Sequence, residues 1–352
     1  MSNDLANNIL VGHPFYLPTQ AVLVDDDPDF LDGISLMLNK NLSYRLFQSA
    51  GSALKHVNEA HRHVGFLQRC YASYKTGPLD SDTLLHIDVG KLHHEVLNGL
   101  RFQTCSTVIV DYSMPEMSGL EFLRNLTNPF VRKVLLTGQA DMELAIRAFN
   151  QQLIDQFIDK HDPRLKQKLN ATIMAFQDQY FRYSFKLLTD PLLATNEDAF
   201  LINREFQEYF LNLRSELGVV EYYMIESPHT GFLLVDSKGK TQCLLIFTKE
   251  TLAEHHQLLK EMKAPATLIK QVGAGNLVPI YSTLEAKLSR QSAYIEDWQS
   301  HYGQAHEVRS ATRTYYTTLC SPDALREVAG QTLFSYEDFL ETNSESPSPI
   351  MH

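Results

Sequence analysis

The 352-residue sequence lacks paired cysteines and long apolar runs. Its four cysteines, Cys70, Cys105, Cys243 and Cys320, form no CxxC pair, which speaks against a zinc knuckle or a disulfide framework. No run approaches the roughly 18 consecutive apolar residues of a membrane span, and the first residues lack the pattern of a secretory signal. We therefore expect reduced thiols, no membrane partner and a cytoplasmic location.

The sequence also has no excess of basic residues. The 31 Lys and Arg residues are outnumbered by 42 Asp and Glu residues, which gives a formal net charge of −11. Because both halves of the chain are net negative, neither has the basic footprint typical of a nucleic-acid binder. The apolar fraction of 44% excludes wholesale disorder, and the length predicts two or three domains.

The first half alternates short apolar runs with segments of helical periodicity. This alternation predicts a doubly wound α/β domain with a five-stranded parallel sheet. The last of its helices begins at residue 163 and is expected to reach about residue 188, with an apolar stripe along one side. The predicted strands are residues 21–24, 44–48, 107–110, 134–136 and 156–158.

The second half predicts an α+β domain. A helix over residues 205–217 precedes several strands, two of which are joined by the tight-turn sequence Asp236-Ser-Lys-Gly. No lysine and Ser/Thr pair follows the Gly273/Gly275 loop, so this loop is not expected to bind phosphate. The predicted organisation is a leader over 1–18, the α/β domain over 19–185 with an insertion at about 61–100, the α+β domain over 186–340, and a disordered tail over 341–352.

Polar side chains follow four of the predicted parallel strands. Such strand ends meet at one edge of the sheet, where ligands bind, so the side chains are expected to share one crevice. Three crowded carboxylates favour a hard divalent cation such as Mg²⁺, and a carboxylate can accept a phosphoryl group. The set predicts phosphoryl capture by an aspartate; it comprises Asp25, Asp26, Asp111, Thr137 and Lys160.

The sequences VLVDDDPDF, VIVDYSMPEMSGLEFL, VLLTGQAD and FIDKHD resemble the receiver domain of two-component response regulators over about residues 19–180. The resemblance implies a flavodoxin-like fold and assigns Asp111 as the phosphoacceptor. It also implies that Asp26, Asp111 and the backbone carbonyl of Ser113 bind Mg²⁺ directly, while Asp25 acts through water. Thr137 and Lys160 are then phosphate-binding groups, and Phe157 is the aromatic switch residue.

Two features depart from that family pattern. His161 follows Lys160 where the family often has a proline after a cis bond, and a cis bond before a residue other than proline costs about 3–4 kcal/mol. The interval from Asp26 to Asp111 is also longer than in a minimal receiver, which places the insertion between the second helix and the third strand. Histidines in or near the insertion suggest a metal site only weakly, because no HExxH or cysteine pairing accompanies them; they are His56, His61, His63, His86, His93 and His94.

The whole chain further resembles the alkyl-hydroxyketone quorum-sensing response regulators. We expect a sensor histidine kinase as phosphodonor and a regulatory, non-enzymatic output that acts on a nucleic acid or a protein in the control of gene expression. The alternative is a receiver-regulated phosphodiesterase or nuclease. Asp236 and Lys238 resemble the acidic-x-lysine element of PD-(D/E)xK nucleases, although the same residues suit a hairpin turn.

Phosphorylation is expected to produce a homodimer. The expected contact surface is the face of the fourth and fifth strands and its continuation into the long helix. Part of the apolar stripe of that helix packs on the sheet and its edge pairs with the same edge of a second copy, unless the core of the domain uses the whole stripe. The stripe comprises Leu165, Leu169, Ile173 and Phe176. Paired aromatic residues in the second half, Tyr222-Tyr223 and Tyr315-Tyr316, are expected to be buried rather than to stack on bases, and His255-His256 to be solvated on a helix.

Overall fold

A computed structural model describes residues 12–63, 71–75, 83–87, 89–138, 142–193, 199–283, 297–322, 328 and 330–345. The chain divides into two compact units. We call them the parallel-sheet unit (Leu17–Arg69, Gly99–Lys186 and Tyr336–His352) and the antiparallel-sheet unit (Met1–Tyr16, Cys70–Asn98 and Leu187–Ser335). No helix among the described residues is long and apolar enough to cross a membrane.

Strands and helices are numbered in chain order. The strands of the described residues are β1 Phe15–Tyr16, β2 Gln20–Val24, β3 Ser43–Phe47, β4 Tyr71–Lys75, β5 Thr83–Ile87, β6 Cys105–Asp111, β7 Arg132–Thr137, β8 Gln156–Asp159, β9 Val219–Ile225, β10 Gly231–Asp236, β11 Thr241–Thr248, β12 Leu277–Pro279, β13 Tyr302–Gln304, β14 His306–Arg309 and β15 Thr314–Cys320. The α-helices are α1 Pro28–Met37, α2 Ala50–His63, α3 Gly119–Arg124, α4 Met142–Asn150, α5 Leu165–Leu193, α6 Arg204–Leu217, α7 Lys249–Glu261, α8 Ala266–Gly273, α9 Trp298–His301 and α10 Tyr336–Glu345. Short 3₁₀ helices cover Val89–Leu97, Arg101–Gln103 and Ala199–Leu201.

The parallel-sheet unit has the predicted fold. Its five strands lie in the order β3-β2-β6-β7-β8, all parallel, which is the flavodoxin-like order. Strand β2 is buried on both faces: Ala21 and Leu23 belong to one apolar core, Val22 and Val24 to the other. Because both faces of the sheet are covered, such strands are continuous apolar runs without alternation.

The stripe on α5 is used inside the unit. Leu165, Leu169, Ile173 and Phe176 are all buried in the core that also contains Ile34 of α1. The prediction that this stripe pairs with a second copy is therefore wrong, because the same side chains cover one face of the sheet. Large apolar residues that α5 does expose are Met174 and Tyr183.

The predicted leader contains a strand. Within residues 1–18, Phe15 and Tyr16 form β1, which pairs antiparallel with β9 in the register Phe15↔Tyr223. Phe15 is fully buried and its ring stacks on that of Tyr223 at 6.3 Å between centroids. The description of residues 1–18 as a leader is thus wrong for Phe15 and Tyr16. The sequence carries no sign of this strand, because two residues are too few to show a periodicity.

The predicted insertion contributes to the antiparallel-sheet unit. It contains the antiparallel pair β4–β5 and the 3₁₀ helix Val89–Leu97, which contacts β9. Leu92 and Val96 are completely buried there. The 3₁₀ form of this helix and its contact with β9 were not predicted from the sequence. The side chains of His61, His63 and His86 lie outside the described residues.

The antiparallel-sheet unit is α+β, as predicted. Its large sheet has the order β1-β9-β10-β11-β15-β14, and β12–β13 form a separate pair. The aromatic residues Tyr222, Tyr223 and Tyr315 are buried, as expected, whereas Tyr316 is only half-buried. Strands β13–β15 and helix α8 were not predicted, and Gly273 ends α8 rather than lying in a loop.

The predicted tail over 341–352 overlaps a helix. Helix α10 begins at Tyr336, whose hydroxyl donates a hydrogen bond of 2.9 Å to the Asn41 carbonyl oxygen. The rings of Tyr336 and Phe339 lie 5.2 and 5.4 Å from that of Phe102. Disorder is therefore wrong for residues 341–345, because these contacts hold the helix on the parallel-sheet unit; residues 346–352 lie outside the described residues.

Two helical glycines of the parallel-sheet unit allow a matched test of its packing. A Cβ at Gly119 would lie 2.2 Å from the Asp111 carbonyl oxygen, whereas one at Gly33 would meet nothing within 4 Å. We expect Gly119→Ala to destabilise the unit by about 1–3 kcal/mol through overpacking. Gly33→Ala should stabilise it by about 0.5–1 kcal/mol, since alanine is the better helix former. Thermal unfolding followed by circular dichroism measures both; equal shifts would contradict the close approach at Gly119.

Candidate phosphoacceptor site

Three carboxylates meet at the carboxyl edge of the parallel sheet. Asp25 and Asp26 follow β2, and Asp111 is the last residue of the neighbouring strand β6. Each of the three offers an oxygen within 4.8 Å of the others. Asp25 is 1% and Asp111 6% exposed, while Asp26 faces solvent. The structure thus brings together the three aspartates that the sequence predicted.

Lys160 joins two of these carboxylates. Its Nζ lies 2.6 Å from Asp25 Oδ2 and 2.7 Å from Asp111 Oδ1, and its backbone N–H donates to the Thr137 carbonyl oxygen at 3.0 Å. Burial acts to lower the pKa of Lys160, but hydrogen bonds to Asp111 and Asp25 outweigh it and raise that pKa. The ammonium group therefore stays protonated and fixed between the two strand ends.

Burial has the larger effect on Asp25. It raises the pKa of this carboxyl even though Lys160 and the Asp27 N–H act to lower it. When all four groups are ionised, three carboxylates and one ammonium leave two negative charges uncompensated. Clustered carboxylate oxygens are the ligands that Mg²⁺ prefers, so the residues present fit the predicted cation.

Asp27 has a different task from its two neighbours. Its Oδ1 accepts hydrogen bonds from the backbone N–H groups of Asp29 and Phe30, at 3.0 and 3.3 Å, and so caps α1. Pro28 occupies the first turn, where a missing N–H costs nothing. Asp27 is exposed at a helix start and lies outside the carboxylate cluster.

The remaining predicted site residues surround Asp111. The Ser113 N–H donates to Asp111 Oδ2 at 2.9 Å, a contact that the sequence did not predict; the role of the Ser113 carbonyl stays a prediction. Thr137 is buried at the end of β7, and its hydroxyl donates to the Gly138 carbonyl oxygen at 3.0 Å. Phe157 on β8 is half-buried, and its ring meets that of Phe149 edge-on at 6.2 Å.

Phe30 is a site residue that the sequence analysis missed. Its ring lies 4.5 Å from Lys160 Nζ, in cation–π distance. The available signal was the cap at Asp27, which places residue 30 in the first turn of a helix that starts at the strand ends. The Lys160–His161 peptide bond is trans, since the cis bond recorded among the described residues precedes Pro228.

Other sequence candidates do not form comparable sites. Asp236 accepts hydrogen bonds from the backbone N–H groups of Lys238 and Lys240, both 2.9 Å long, so it closes a hairpin turn. Within the described ranges, the metal-type cluster found is the aspartate group at the sheet edge. The nuclease-like reading of Asp236 and Lys238 therefore gains no support.

The prediction that His255 is solvated is wrong, because both of its ring nitrogens lie next to tyrosine hydroxyl groups. Its Nε2 lies 2.8 Å from the Tyr302 hydroxyl and its Nδ1 3.3 Å from that of Tyr281. Burial, with a smaller effect of His256, lowers the pKa of His255 to about 4. The helical periodicity of α7 indicated a surface position, but Tyr302 belongs to a strand that the sequence did not reveal.

Comparisons with known proteins agree with this geometry. The sequence model of the response regulator receiver domain matches residues 77–170, a range that includes Asp111, Thr137 and Lys160. Together with the five-stranded parallel sheet, this match shows that residues 77–170 are similar to the receiver domain of response regulators. No curated protein sequence matches the chain.

A solved structure extends the likeness to the whole chain. The Legionella pneumophila response regulator LqsR is 28% identical, with a TM-score of 0.70, over 95% of this chain and 97% of that one. Two shorter matches have lower scores. An adenylate cyclase from Rhodopirellula baltica is 21% identical over 51% of this chain and 100% of that one, with a TM-score of 0.33; a receiver domain protein from Clostridium thermocellum is 18% identical over 47% and 98%, with a TM-score of 0.30.

The neighbouring residues Asp26 and Asp27 allow a test in which each substitution serves as the control for the other. Asp26→Ala should weaken Mg²⁺ binding at least several-fold, because it removes a carboxylate from the cluster. Asp27→Ala should leave Mg²⁺ affinity nearly unchanged and cost about 1 kcal/mol of stability through loss of the cap. Isothermal titration with Mg²⁺ and thermal unfolding measure the two effects. Equal losses of Mg²⁺ affinity in the two variants would show that the acidic run is misassigned.

Proposed function

We propose that Asp111 accepts a phosphoryl group from a sensor histidine kinase in a Mg²⁺-dependent reaction. The observation that carries this proposal is the position of Lys160, whose Nζ joins the buried carboxylates of Asp25 and Asp111 at 2.6 and 2.7 Å. A lysine held there supplies a fixed positive charge beside the nucleophile. The receiver match supports a histidine kinase as the phosphodonor.

The chemistry is an in-line displacement at phosphorus. A carboxylate oxygen of Asp111 forms a bond to phosphorus while the bond from phosphorus to the donor imidazole nitrogen breaks, and that nitrogen takes the electron pair. Mg²⁺, held by Asp26 and Asp111 with Asp25 nearby, would neutralise charge on the phosphoryl oxygens. Lys160 then transfers its contact from Asp111 Oδ1 to a phosphoryl oxygen, and the Ser113 N–H stays directed at the modified side chain.

The phosphoryl group then acts as a local switch. It adds about −1.5 to −2 charges and strong acceptor oxygens. The Thr137 hydroxyl, which donates to Gly138 in this structure, turns toward those oxygens, and Phe157 fills the space that it leaves. Phe157 packs against Phe149, so its movement alters the exposed face of α4.

That face suits the predicted homodimer better than the stripe on α5. Ile146 and Phe149 lie three residues apart on α4 and are 44% and 47% exposed. Residues so spaced share one side of a helix. An isologous contact between two such faces would couple phosphorylation to oligomeric state.

The output is proposed to regulate gene expression within quorum sensing. Support comes from the match to a response regulator over nearly the whole chain. The target, a nucleic acid or a protein, would bind the antiparallel-sheet unit. The enzymatic alternative has no specific support, because Asp236 serves a hairpin turn.

Phosphorylation can be tested directly on the full chain. Radiolabelled acetyl phosphate with Mg²⁺ should label the protein, and chelation of Mg²⁺ should reduce labelling strongly. Asp111→Asn should abolish the label, because the amide is not a nucleophile, while Asp155→Asn on the same unit should leave it. Undiminished labelling of Asp111→Asn would place the acceptor elsewhere.

Sedimentation velocity tests the dimer. At tens of micromolar, acetyl phosphate and Mg²⁺ should convert the chain to a dimer, and Ile146→Ser with Phe149→Ser should prevent this without preventing phosphorylation. Leu36→Ser is the matched control, since Leu36 is 84% exposed on α1 of the same unit. A demonstrably phosphorylated chain that stays monomeric would contradict the dimer switch.

A further inference from the structure

Two of the cysteines lie opposite one another in the antiparallel-sheet unit. Cys243 near the start of β11 and Cys320 at the end of β15 are direct cross-strand partners. They come from chain positions 77 residues apart, and neither belongs to the receiver site. Both thiols are free; Cys243 is buried and Cys320 is half-buried.

The strand pairing satisfies the main geometric requirement of a disulfide. Directly opposed residues of an antiparallel pair have Cα atoms about 4.5–5.5 Å apart. A disulfide needs about 4.4–6.8 Å between its Cα atoms. The bond therefore needs side-chain rotation and a small local adjustment, with no shift in the register of β11 and β15.

The two thiols are not equivalent. A hydrogen bond from the Cys243 thiol raises the pKa of Cys243, with burial adding to that effect, and lowers the pKa of Cys320. The proton is thus held on Cys243, while Cys320 is both more acidic and more accessible. Reactivity toward oxidants follows thiolate character and exposure, so Cys320 is the expected site of first attack.

We propose that Cys243 and Cys320 are a redox-sensitive pair, which hydrogen peroxide converts into a cross-strand disulfide. The Cys320 thiolate attacks a peroxide oxygen and the O–O bond breaks; Cys320 becomes a sulfenic acid and the leaving hydroxide is protonated to water. The Cys243 sulfur then attacks the Cys320 sulfur, and the departing hydroxide takes the Cys243 proton. Two thiols and one peroxide give one disulfide and two waters.

The bond would join β11 and β15, the fourth and fifth strands of the six-stranded sheet. A covalent link between distant chain positions restricts the unfolded chain, so the oxidised protein should unfold at a higher temperature. Cytosolic thiols are normally kept reduced, and a thiol reductant should reverse the change. The inference concerns a unit other than the receiver site, so it stands independently of phosphorylation at Asp111.

The test uses the full chain, reduced and then treated with hydrogen peroxide at a small molar excess. Thiols counted in denaturant should fall from four to two, with the loss of two hydrogen atoms in mass and a reducible Cys243–Cys320 cross-link in the peptide map. Cys105→Ser is the matched control, because Cys105 is a buried cysteine of the parallel-sheet unit. The thiol count of this variant should fall from three to one.

Two variants separate the steps. Cys320→Ser should retain all three thiols under the same treatment, because its buried partner has no neighbour to join. Cys243→Ser should stop at the sulfenic acid, which dimedone traps at Cys320. Four thiols remaining in the wild type, or a cross-link through Cys70 or Cys105, would overturn the proposal. If Cys243→Ser does not fold, the wild type and Cys320→Ser still decide it.

Discussion

The ion pairs of Lys160 are the interaction on which the aspartate site at the edge of the parallel sheet depends. Three carboxylates crowd one sheet edge, two of them buried, and a single ammonium group holds Asp25 and Asp111 together. Lys160 is itself anchored at both ends, by its backbone bond to Thr137 and by the ring of Phe30. The strand order serves this contact, since β2, β6, β7 and β8 deliver their polar residues to one edge.

The charge that Lys160 leaves uncompensated explains the rest of the site. A buried carboxylate with an upward pKa shift, such as Asp25, is stabilised in its charged form by a further cation. The same surplus of negative charge favours Mg²⁺ at this edge of the sheet. Asp27 does not need a cation in the same way, because the backbone N–H groups at the start of α1 donate hydrogen bonds to its carboxylate.

Much of the parallel-sheet unit was predictable, because its signals are local. Doubly buried strands appear as apolar runs, and the residue after each run lies at the sheet edge, which is how Asp25, Asp26, Asp111 and Lys160 were found. Side-chain orientation was not predictable: Thr137 donates to Gly138, and Ser113 contributes an N–H. Long-range pairings also left no local trace. The strand at Phe15, the partner of His255 and the helix at Tyr336 all depend on contacts with distant residues.

The antiparallel-sheet unit draws its pieces from three separate stretches of the chain. Phe15 pairs with Tyr223, so its partner is synthesised 208 residues later. At the usual 5–20 residues per second, β1 leaves the ribosome roughly 10–40 s before that strand exists. During this interval Phe15, which is buried in the native sheet, has no partner strand. Because the segments of the two units alternate along the sequence, exchange of the antiparallel-sheet unit between proteins needs more than one crossover.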